Sequence, residues 1–366
     1  MVRVSAGARL HFGFGNLSLS HGRLYGAFGV ALAAPRVAIE ATPAESITVD
    51  VTSSVSTDVA ADVAEYADRA RSLLDVDGAA LTVETSIPRH AGLGSGTQLA
   101  LTTLAAIAHA HERDPRVRSR APALGRGGRS GIGVAAFETG GFILDAGHPT
   151  ARFTTDRPAD GDWTVPALAA RHVIPDEWRF LVVCPDADPG RNGTAEDAAM
   201  RGAVERASPE LADRIAGIVT RRVLPAAAEG RAEAFGAAVA EVGRLNGAWY
   251  ADEQGGVYRP PVGDVVAALE SSPAVFGAGQ SSWGPAVYGV TDATHADAAH
   301  EAGVEALEAA GVGGPDSIAH GANDGARMEA AGMRMETAGT RMETDDGGGG
   351  EVNEDVGDGR NDEQQH

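Results

Sequence analysis

Hydrophobic and polar residues alternate with the period of a β-strand over much of the first half of the chain. Leu81, Val83 and Ile87 show the pattern, in which every second residue faces a core. The same periodicity predicts β structure within residues 1–50 and a strand over 80–87. Between them, apolar residues recur at helical spacing, which predicts a helix over 58–74.

The remainder of the chain alternates between the two kinds of pattern. The predicted elements are, in order, a helix over 97–112, a loop or broken helix over 115–130, β structure over 137–146, a strand over 179–185, helices over 208–224, 231–247 and 262–271, a strand over 274–276, a Gly/Ser turn over 277–284, a strand over 286–290 and a helix over 295–310. Ser208, followed by Pro209 and Glu210, is a predicted helix N-cap. The polar stretch 149–178 is interpreted as a domain junction, which gives domains over 1–155 and 156–320.

The composition changes at about residue 321. Arg-Met-Glu recurs there three times at a spacing of seven residues, but each unit holds one large apolar residue and begins with Gly, which weakens a helix. Four consecutive glycines and an acidic end follow. We therefore predict that residues 321–366 form a disordered appendage and not a coiled coil.

A glycine-rich run over residues 88–97 separates the strand at 80–87 from the next predicted helix. A helix N-terminus offers free N–H groups and a positive dipole end to an anion, and glycines allow a ligand to approach the backbone closely. The candidate phosphate-binding residues are Gly92, Gly94, Ser95, Gly96 and Thr97, with the Ser95 hydroxyl as a candidate Mg²⁺ ligand. A helix-capping turn of small residues is the alternative interpretation.

The chain contains no lysine, so all 30 of its basic residues are arginine. A Walker-type P-loop and Schiff-base chemistry are therefore excluded. The net charge of −21 argues against nucleic acid as a partner, because phosphate backbones require a basic surface. The acidic excess, with Arg in place of Lys, indicates adaptation to a salt-rich cytoplasm or a GC-rich genome.

Two further features restrict the class of protein to which the chain can belong. Cys184 is the only cysteine and follows an apolar run, which predicts a buried position and excludes both an internal disulfide and a cysteine-based zinc site. The chain shows no membrane-spanning stretch and no signal-peptide pattern, so we expect a cytoplasmic protein.

Several short segments, taken together, resemble one protein family. They are residues 9–12, 22–29, 88–97, 125–133, 137–142, 145–148, 254–258 and 279–285. The loop at 88–97 and the late Gly/Ser turn are similar to motifs of the GHMP kinase superfamily, although Gly96 stands where that superfamily usually has a second serine. The combination resembles the β-ribofuranosylaminobenzene 5′-phosphate synthase branch, over about residues 3–327.

The resemblance implies a fold and an activity. The fold is α+β: an N-terminal α/β domain with a left-handed βαβ unit and a C-terminal ferredoxin-like domain. The activity joins 4-aminobenzoate to phosphoribosyl diphosphate, with release of diphosphate and CO₂, in methanopterin-type pterin biosynthesis. It also implies small-molecule substrates, Mg²⁺ with the diphosphate, and a homodimer.

That reaction assigns expected roles to particular residues. Arg9 or Arg23 would pair with the carboxylate, His11 would transfer a proton with a pKa near neutrality, and Asp145 lies near where kinases of the superfamily place a catalytic aspartate. Arg129, Ser130 and Gly131 would bind the sugar 5′-phosphate. The late turn would contribute substrate contacts from Gln280, Ser281, Ser282 and Trp283.

Two other functions remain open from the sequence. An ATP-dependent small-molecule kinase could use the same loop, but without the Lys–Asp pair that many such kinases have, since the chain has no lysine. A non-catalytic ligand-binding relative is the other alternative.

The acidic composition predicts dependence on salt. In molar KCl, repulsion between like charges is screened beyond roughly 3 Å. We therefore expect the unfolding midpoint to rise steadily from dilute buffer to molar KCl. Thermal unfolding at a series of KCl concentrations tests this, and a midpoint that stays constant would contradict it.

Overall fold

A computed structural model of the protein describes residues 1–153, 155–156, 158–188 and 193–330, with residues 193–195 as backbone only. The strands are β1 (Val2–Asn16), β2 (Arg23–Ala44), β3 (Thr48–Val51), β4 (Gly78–Thr85), β5 (Phe142–Asp145), β6 (His148–Pro149), β7 (Leu168–His172), β8 (Trp178–Val183), β9 (Gly277–Gln280), β10 (Val287–Asp292), β11 (Asp316–His320) and β12 (Arg327–Ala330). The α-helices are α1 (Asp58–Leu74), α2 (Ser95–Ala110), α3 (Val117–Arg120), α4 (Ile132–Thr139), α5 (Gly193–Arg206), α6 (Pro209–Ile218), α7 (Leu224–Ala228), α8 (Ala232–Gln254), α9 (Val262–Glu270) and α10 (Ala296–Ala309).

The larger sheet is built on the long antiparallel pair β1–β2. Its main strand order is β12-β1-β2-β4-β3, with β5 and β6 paired to β2 and β7 paired to β5. β3 and β4 are parallel neighbours connected through α1, which makes a βαβ unit. Helix α2 packs on this sheet, and its central residues are all buried because the helix is apolar on every side.

The smaller sheet has four antiparallel strands in the order β11-β8-β10-β9. A hydrophobic cluster separate from the main core packs against this sheet. It includes Leu181 and Val183 of β8, Val265 of α9 and Ala299 of α10. The alternate residues Phe180 and Val182 of β8 belong to the main core together with Phe235 of α8, so both faces of this sheet are covered by helices. None of the described helices has the length and apolar content needed to span a bilayer.

Most predicted elements are confirmed, with three corrections. Phe137 was expected in a strand but lies in α4, and the strand begins only at Phe142, after two glycines with positive φ. The strand expected over 274–276 begins only at Gly277, so residues 277–280, which were expected in a turn, form β9. Helix α5 was not expected at all. The Ser208 N-cap is confirmed, because its hydroxyl accepts a hydrogen bond from the Leu211 N–H at 3.3 Å.

The predicted boundary of the C-terminal appendage is wrong in its first ten residues. β12 pairs with β1 in register from Val2 opposite Ala330 to Ser5 opposite Arg327, so the chain returns to the larger sheet after residue 321. Residues 331–366 lie outside the described residues. The predicted junction over 149–178 contains β7, which pairs with β5 of the larger sheet, and the described residues up to Ala330 belong to one compact unit.

Asn246 of α8 fixes β1 against the second half of the chain. Its Oδ1 accepts from the Phe14 N–H at 2.7 Å, and its Nδ2 donates to the Phe14 carbonyl at 3.0 Å. Gly13 must be glycine here, since a Cβ would lie 2.7 Å from the Asn246 side chain. This buried amide therefore ties the end of β1, which carries candidate site residues, to α8.

We expect Asn246→Ala to destabilise the protein by about 3 kcal/mol, because two buried backbone groups of Phe14 lose their partners. Asn323→Ala is the matched control, since Asn323 clamps both backbone groups of Ile174 in the same way but is half-buried. Water can replace that clamp, so we expect a loss of about 1 kcal/mol. Urea unfolding measures both, and equal losses would contradict the prediction.

Candidate active site

The glycine loop between β4 and α2 forms the floor of an outer cleft of about 680 Å³. Gly92 and Gly94 adopt φ values of +85° and +82°, which side chains other than glycine rarely tolerate. Gly94 is the N-cap of α2, and its carbonyl accepts from the N–H groups of Thr97 and Gln98. The N–H groups of Ser95 and Gly96 belong to the first turn and have no acceptor within the helix.

Two arginines flank this helix N-terminus. The Arg9 side chain lies 3.0–3.3 Å from the position that a Cβ on Gly94 would occupy, and its Nη1 donates to the Gly92 carbonyl at 2.5 Å. The Arg126 guanidinium lies 3.3 Å from the corresponding position on Gly96 and stacks over the Tyr66 ring at 5.2 Å. Burial lowers the pKa of Arg9 to about 10, which leaves it cationic at neutral pH. The arrangement suits an anion with at least two charged oxygens.

A central cleft of about 270 Å³ adjoins the outer cleft, and the two share wall residues that include Arg9, Thr97, Arg126 and Trp283. His11 and Phe14 of β1 line the central cleft, together with Ser130 and Arg129. Arg129 is largely buried and forms ion pairs with Glu196, at 2.8 Å, and Asp197 of α5. The expected phosphate ligand is thus already bound by two carboxylates, which an incoming phosphate would have to displace.

His11 differs from the expectation of a near-neutral titrating group. Burial, reinforced by the neighbouring Arg9 cation, lowers its pKa to about 3, so the imidazole is neutral at physiological pH. Its ring packs edge-on against Phe14 with centroids 4.8 Å apart. His11 therefore offers a neutral hydrogen-bonding ring to the central cleft and not an imidazolium.

Asp145 and Arg23, both expected to be catalytic, lie outside the clefts. Asp145 is buried, and its carboxylate accepts from the N–H groups of Ala27, Gly131 and Gly147 at 2.7–3.2 Å. Burial raises its pKa to about 6. Arg23 is exposed and donates to the carbonyls of Ala146 and Gly147. Both side chains hold the backbone next to the site, and Gly131 contributes an N–H to Asp145 and not to a ligand.

The late turn divides into structural and cleft-lining residues. Ser281 is fully buried, and its hydroxyl accepts from the His11 N–H at 3.1 Å and donates to the Gly92 carbonyl at 2.8 Å. It therefore has no capacity for substrate, contrary to expectation. Ser282 and Trp283 line all three spaces of the site, whereas Gln280 lines a third, inner chamber.

Sequence reasoning missed several residues that the fold brings to the site. Arg126 stood beside the chosen Arg129 in the same glycine-rich segment, so only the structure distinguishes them. Glu196 lies on a helix that was not predicted. Tyr250 and Tyr258 line the inner chamber, and Tyr258 belongs to a segment already noted for its resemblance. Cys184 is half-buried and burial raises its pKa to about 11, in line with an inert thiol.

Oxygen ligands for a divalent cation are present on the outer cleft. Ser95 and Glu196 both line it, and hydroxyl and carboxylate oxygens are donors that Mg²⁺ accepts. Among the described residues, no three His, Cys, Asp or Glu side chains come together as a metal-binding cluster. These donors fit a cation that takes most of its ligands from a bound phosphate.

Comparisons with known proteins agree with the observed fold. The GHMP kinases N terminal domain matches residues 57–141, and the GHMP kinases C terminal domain matches residues 223–309. Two curated relatives, both called beta-ribofuranosylphenol 5'-phosphate synthase, are similar: one from Methanothermobacter thermautotrophicus is 33% identical and one from Archaeoglobus fulgidus is 30% identical. These alignments cover 79% and 80% of this chain and 88% of each relative.

Among solved structures, homoserine kinase from Cytophaga hutchinsonii superposes with a TM-score of 0.60 at 15% identity. The match covers 89% of this chain and 97% of the kinase. The likeness shows that the two sheets and their helices have the GHMP kinase fold, as the sequence resemblance implied.

The buried histidines predict loss of stability in acid. His148 is 2% exposed, stacks on Phe153, and burial lowers its pKa from 6.5 to about 4. The unfolded chain binds a proton below pH 6.5 while the folded chain does not, so this contribution is complete above pH 6.5 and declines as the pH falls towards 4.

We expect His148→Gln to reduce the slope of unfolding free energy against pH, between 6.5 and 4, by up to about 1.4 kcal/mol per pH unit relative to the wild type. Asp145 makes an opposite contribution, because its raised pKa favours the folded state as the pH falls through 6. Subtracting the variant's unfolding free energy from that of the wild type at each pH removes this contribution. His320→Gln, at an exposed position, is the control. Parallel curves for wild type and His148→Gln would contradict the assignment.

Proposed function

Because the chain belongs to the beta-ribofuranosylphenol 5'-phosphate synthase family, we propose that it joins phosphoribosyl diphosphate to a para-substituted benzoic acid. The products are a C-riboside 5′-phosphate, diphosphate and CO₂, and the reaction is an early step of methanopterin-type pterin biosynthesis. The observation that carries the proposal is the pair Arg9 and Arg126 at the N-terminus of α2, a built site for the diphosphate.

The reaction balances without any net proton transfer. The ring carbon that bears the carboxylate forms a bond to the ribose C1 as the bond from C1 to the diphosphate oxygen breaks. The bond to the carboxyl carbon then breaks, its electron pair restores the aromatic ring, and CO₂ leaves. A neutral His11 in the central cleft is compatible with this chemistry, because no group has to act as an acid or a base.

Departure of the diphosphate is the step that the charges can promote. Positive charge develops at the ribose C1 and negative charge on the leaving oxygens, and fixed donors aimed at the latter stabilise the transition state. Arg9, Arg126 and the N–H groups of Ser95 and Gly96 supply such donors from one side of the outer cleft. Mg²⁺, held by Ser95 and Glu196, would neutralise further charge on the diphosphate when bound.

The sugar 5′-phosphate is assigned to Arg129 and Ser130. Arg129 lies in the central cleft with a guanidinium that can bind phosphate through two nitrogens. Its present partners, Glu196 and Asp197, would be released on phosphate binding. In this proposal the freed Glu196 becomes available to Mg²⁺, so that binding of the two phosphate groups would be linked.

The aromatic acid is assigned to the central cleft next to the ribose site. Arg9 lies between the glycine loop and His11 and can orient the carboxylate, while Trp283 offers an aromatic face. The relatives are named for a phenol product, which favours 4-hydroxybenzoate as the acceptor, whereas the resemblance in sequence pointed to 4-aminobenzoate. Both acids have a small electron-donating para substituent that enriches the attacking carbon.

A direct assay separates this function from that of a kinase. The protein is incubated in molar KCl and Mg²⁺ with phosphoribosyl diphosphate and carboxyl-labelled 4-hydroxybenzoate or 4-aminobenzoate, and released CO₂ is counted. Label release that requires both substrates supports the synthase. A parallel incubation replaces phosphoribosyl diphosphate with ATP, and ATP hydrolysis or phosphate transfer there, with no CO₂ release in the first incubation, would favour a kinase, a function typical of the fold.

Arg126→Gln should lower kcat/KM for phosphoribosyl diphosphate about 100-fold, since a charge-assisted contact to the leaving group is worth roughly 1.5–3 kcal/mol. Arg69→Gln is the matched control. Arg69 also lines the outer cleft, but it pairs with Glu65 on α1, so we expect a change of less than about threefold. Urea unfolding verifies that both variants are folded, and equal losses of activity would contradict the role of Arg126.

A further inference from the structure

An inner chamber lies behind the central cleft, with room of about 40 Å³. Four residues line both spaces: His11, Phe14, Ser282 and Trp283. The rest of its wall includes Gly243 and Tyr258 and is mostly apolar. A volume of this size holds a few water-sized groups, so it can take one end of an aromatic acid and not the whole molecule.

Most polar groups of the chamber already have partners. The Gln280 amide donates to the Ser282 carbonyl at 3.0 Å and accepts from the Arg259 N–H at 3.3 Å. The Gln254 amide donates to the Val257 carbonyl at 2.7 Å. Asn246 is occupied by Phe14. These groups shape the chamber and have little capacity left for a ligand.

Two tyrosine hydroxyls of the chamber, those of Tyr250 and Tyr258, are buried and have no hydrogen-bond partner within the described part of the chain. The charged neighbours of the Tyr250 hydroxyl include Arg129 and Glu196, which belong to the central cleft. The Tyr258 hydroxyl lies instead 3.5 Å from the position that a Cβ on Gly243 would occupy, so the missing side chain of Gly243 leaves this hydroxyl room inside the chamber. A buried hydroxyl without a partner costs about 1–3 kcal/mol, which a ligand that supplies the partner recovers.

We infer that Tyr258 recognises the para substituent of the aromatic acid. This inference rests on the proposed function. In a para-substituted benzoic acid, the carboxylate and the substituent lie at opposite ends of the ring. A ring held between His11 and Trp283, with its carboxylate towards Arg9 and the ribose site, places the substituent in the chamber.

The substituent that fits is small and can form a hydrogen bond. A hydroxyl or an amino group can donate to the Tyr258 oxygen, and a hydroxyl can also accept from it. A site built to pair such a group rejects the unsubstituted ring, because its own polar group is then left without a partner. The chamber thereby selects acids whose para substituent also activates the ring for attack.

The test compares binding of benzoate, 4-hydroxybenzoate and 4-aminobenzoate to wild type and to Tyr258→Phe by calorimetric titration. We expect the wild type to bind a para-substituted acid about tenfold more tightly than benzoate, and this ratio to fall close to one in Tyr258→Phe, with the affinity for benzoate unchanged. The acid whose ratio falls identifies the hydroxyl or the amino group as the substituent.

Tyr288→Phe is the matched control. The Tyr288 hydroxyl is also buried beside Gly243, but it donates to the Val239 carbonyl and does not line the chamber, so the binding ratio should stay as in the wild type. An unchanged ratio in Tyr258→Phe, with labelled CO₂ still released by the wild type, would overturn the assignment of Tyr258 alone. Absence of both binding and CO₂ release in the wild type would overturn the proposed function and this inference with it.

Discussion

One buried hydroxyl joins the three segments on which the site depends. Ser281 accepts from the backbone of His11 in β1 and donates to the carbonyl of Gly92 in the glycine loop. The N–H of Ala286, the residue before β10, donates to the Ala91 carbonyl of the same loop. A Cβ on Gly92 would lie 2.1 Å from the Ser281 carbonyl oxygen. The packing of the two loops therefore requires glycine at this position. The positions of Arg9, His11 and the α2 N-terminus all follow from this junction.

The site concentrates positive charge in a strongly acidic protein. With a net charge of −21, the chain repels anionic substrates at long range, and salt screens this repulsion. At short range, Arg9 and Arg126 stand at the helix N-terminus where anions are already favoured. Arg129, further along the same glycine-rich segment, forms ion pairs with Glu196 and Asp197. The positive charge of the site is therefore carried by arginines that the fold already holds in defined positions.

The sequence predicted the fold better than the site. Periodicity located α1, α6, α8, α9 and α10 because each buries one apolar face, and it located α2, which is apolar on every side, but it missed α5. It failed at Phe137, where apolar residues that serve a fully buried helix resemble a strand. Local motifs located the glycine loop. They could not show that the Asp145 carboxylate accepts hydrogen bonds from three backbone N–H groups, or that burial makes His11 neutral. Those properties arise from residues distant in the chain, such as Ala27, whose N–H bonds to Asp145, and Ser281, which packs against His11.

The position of the diphosphate in a complex with Mg²⁺ and phosphoribosyl diphosphate tests the central claim most directly. A crystal structure of that complex should place the diphosphate oxygens against the N–H groups of Ser95 and Gly96, in contact with the guanidinium groups of Arg9 and Arg126. Diphosphate bound away from this loop, or a loop that accepts ATP and excludes phosphoribosyl diphosphate, would contradict the account.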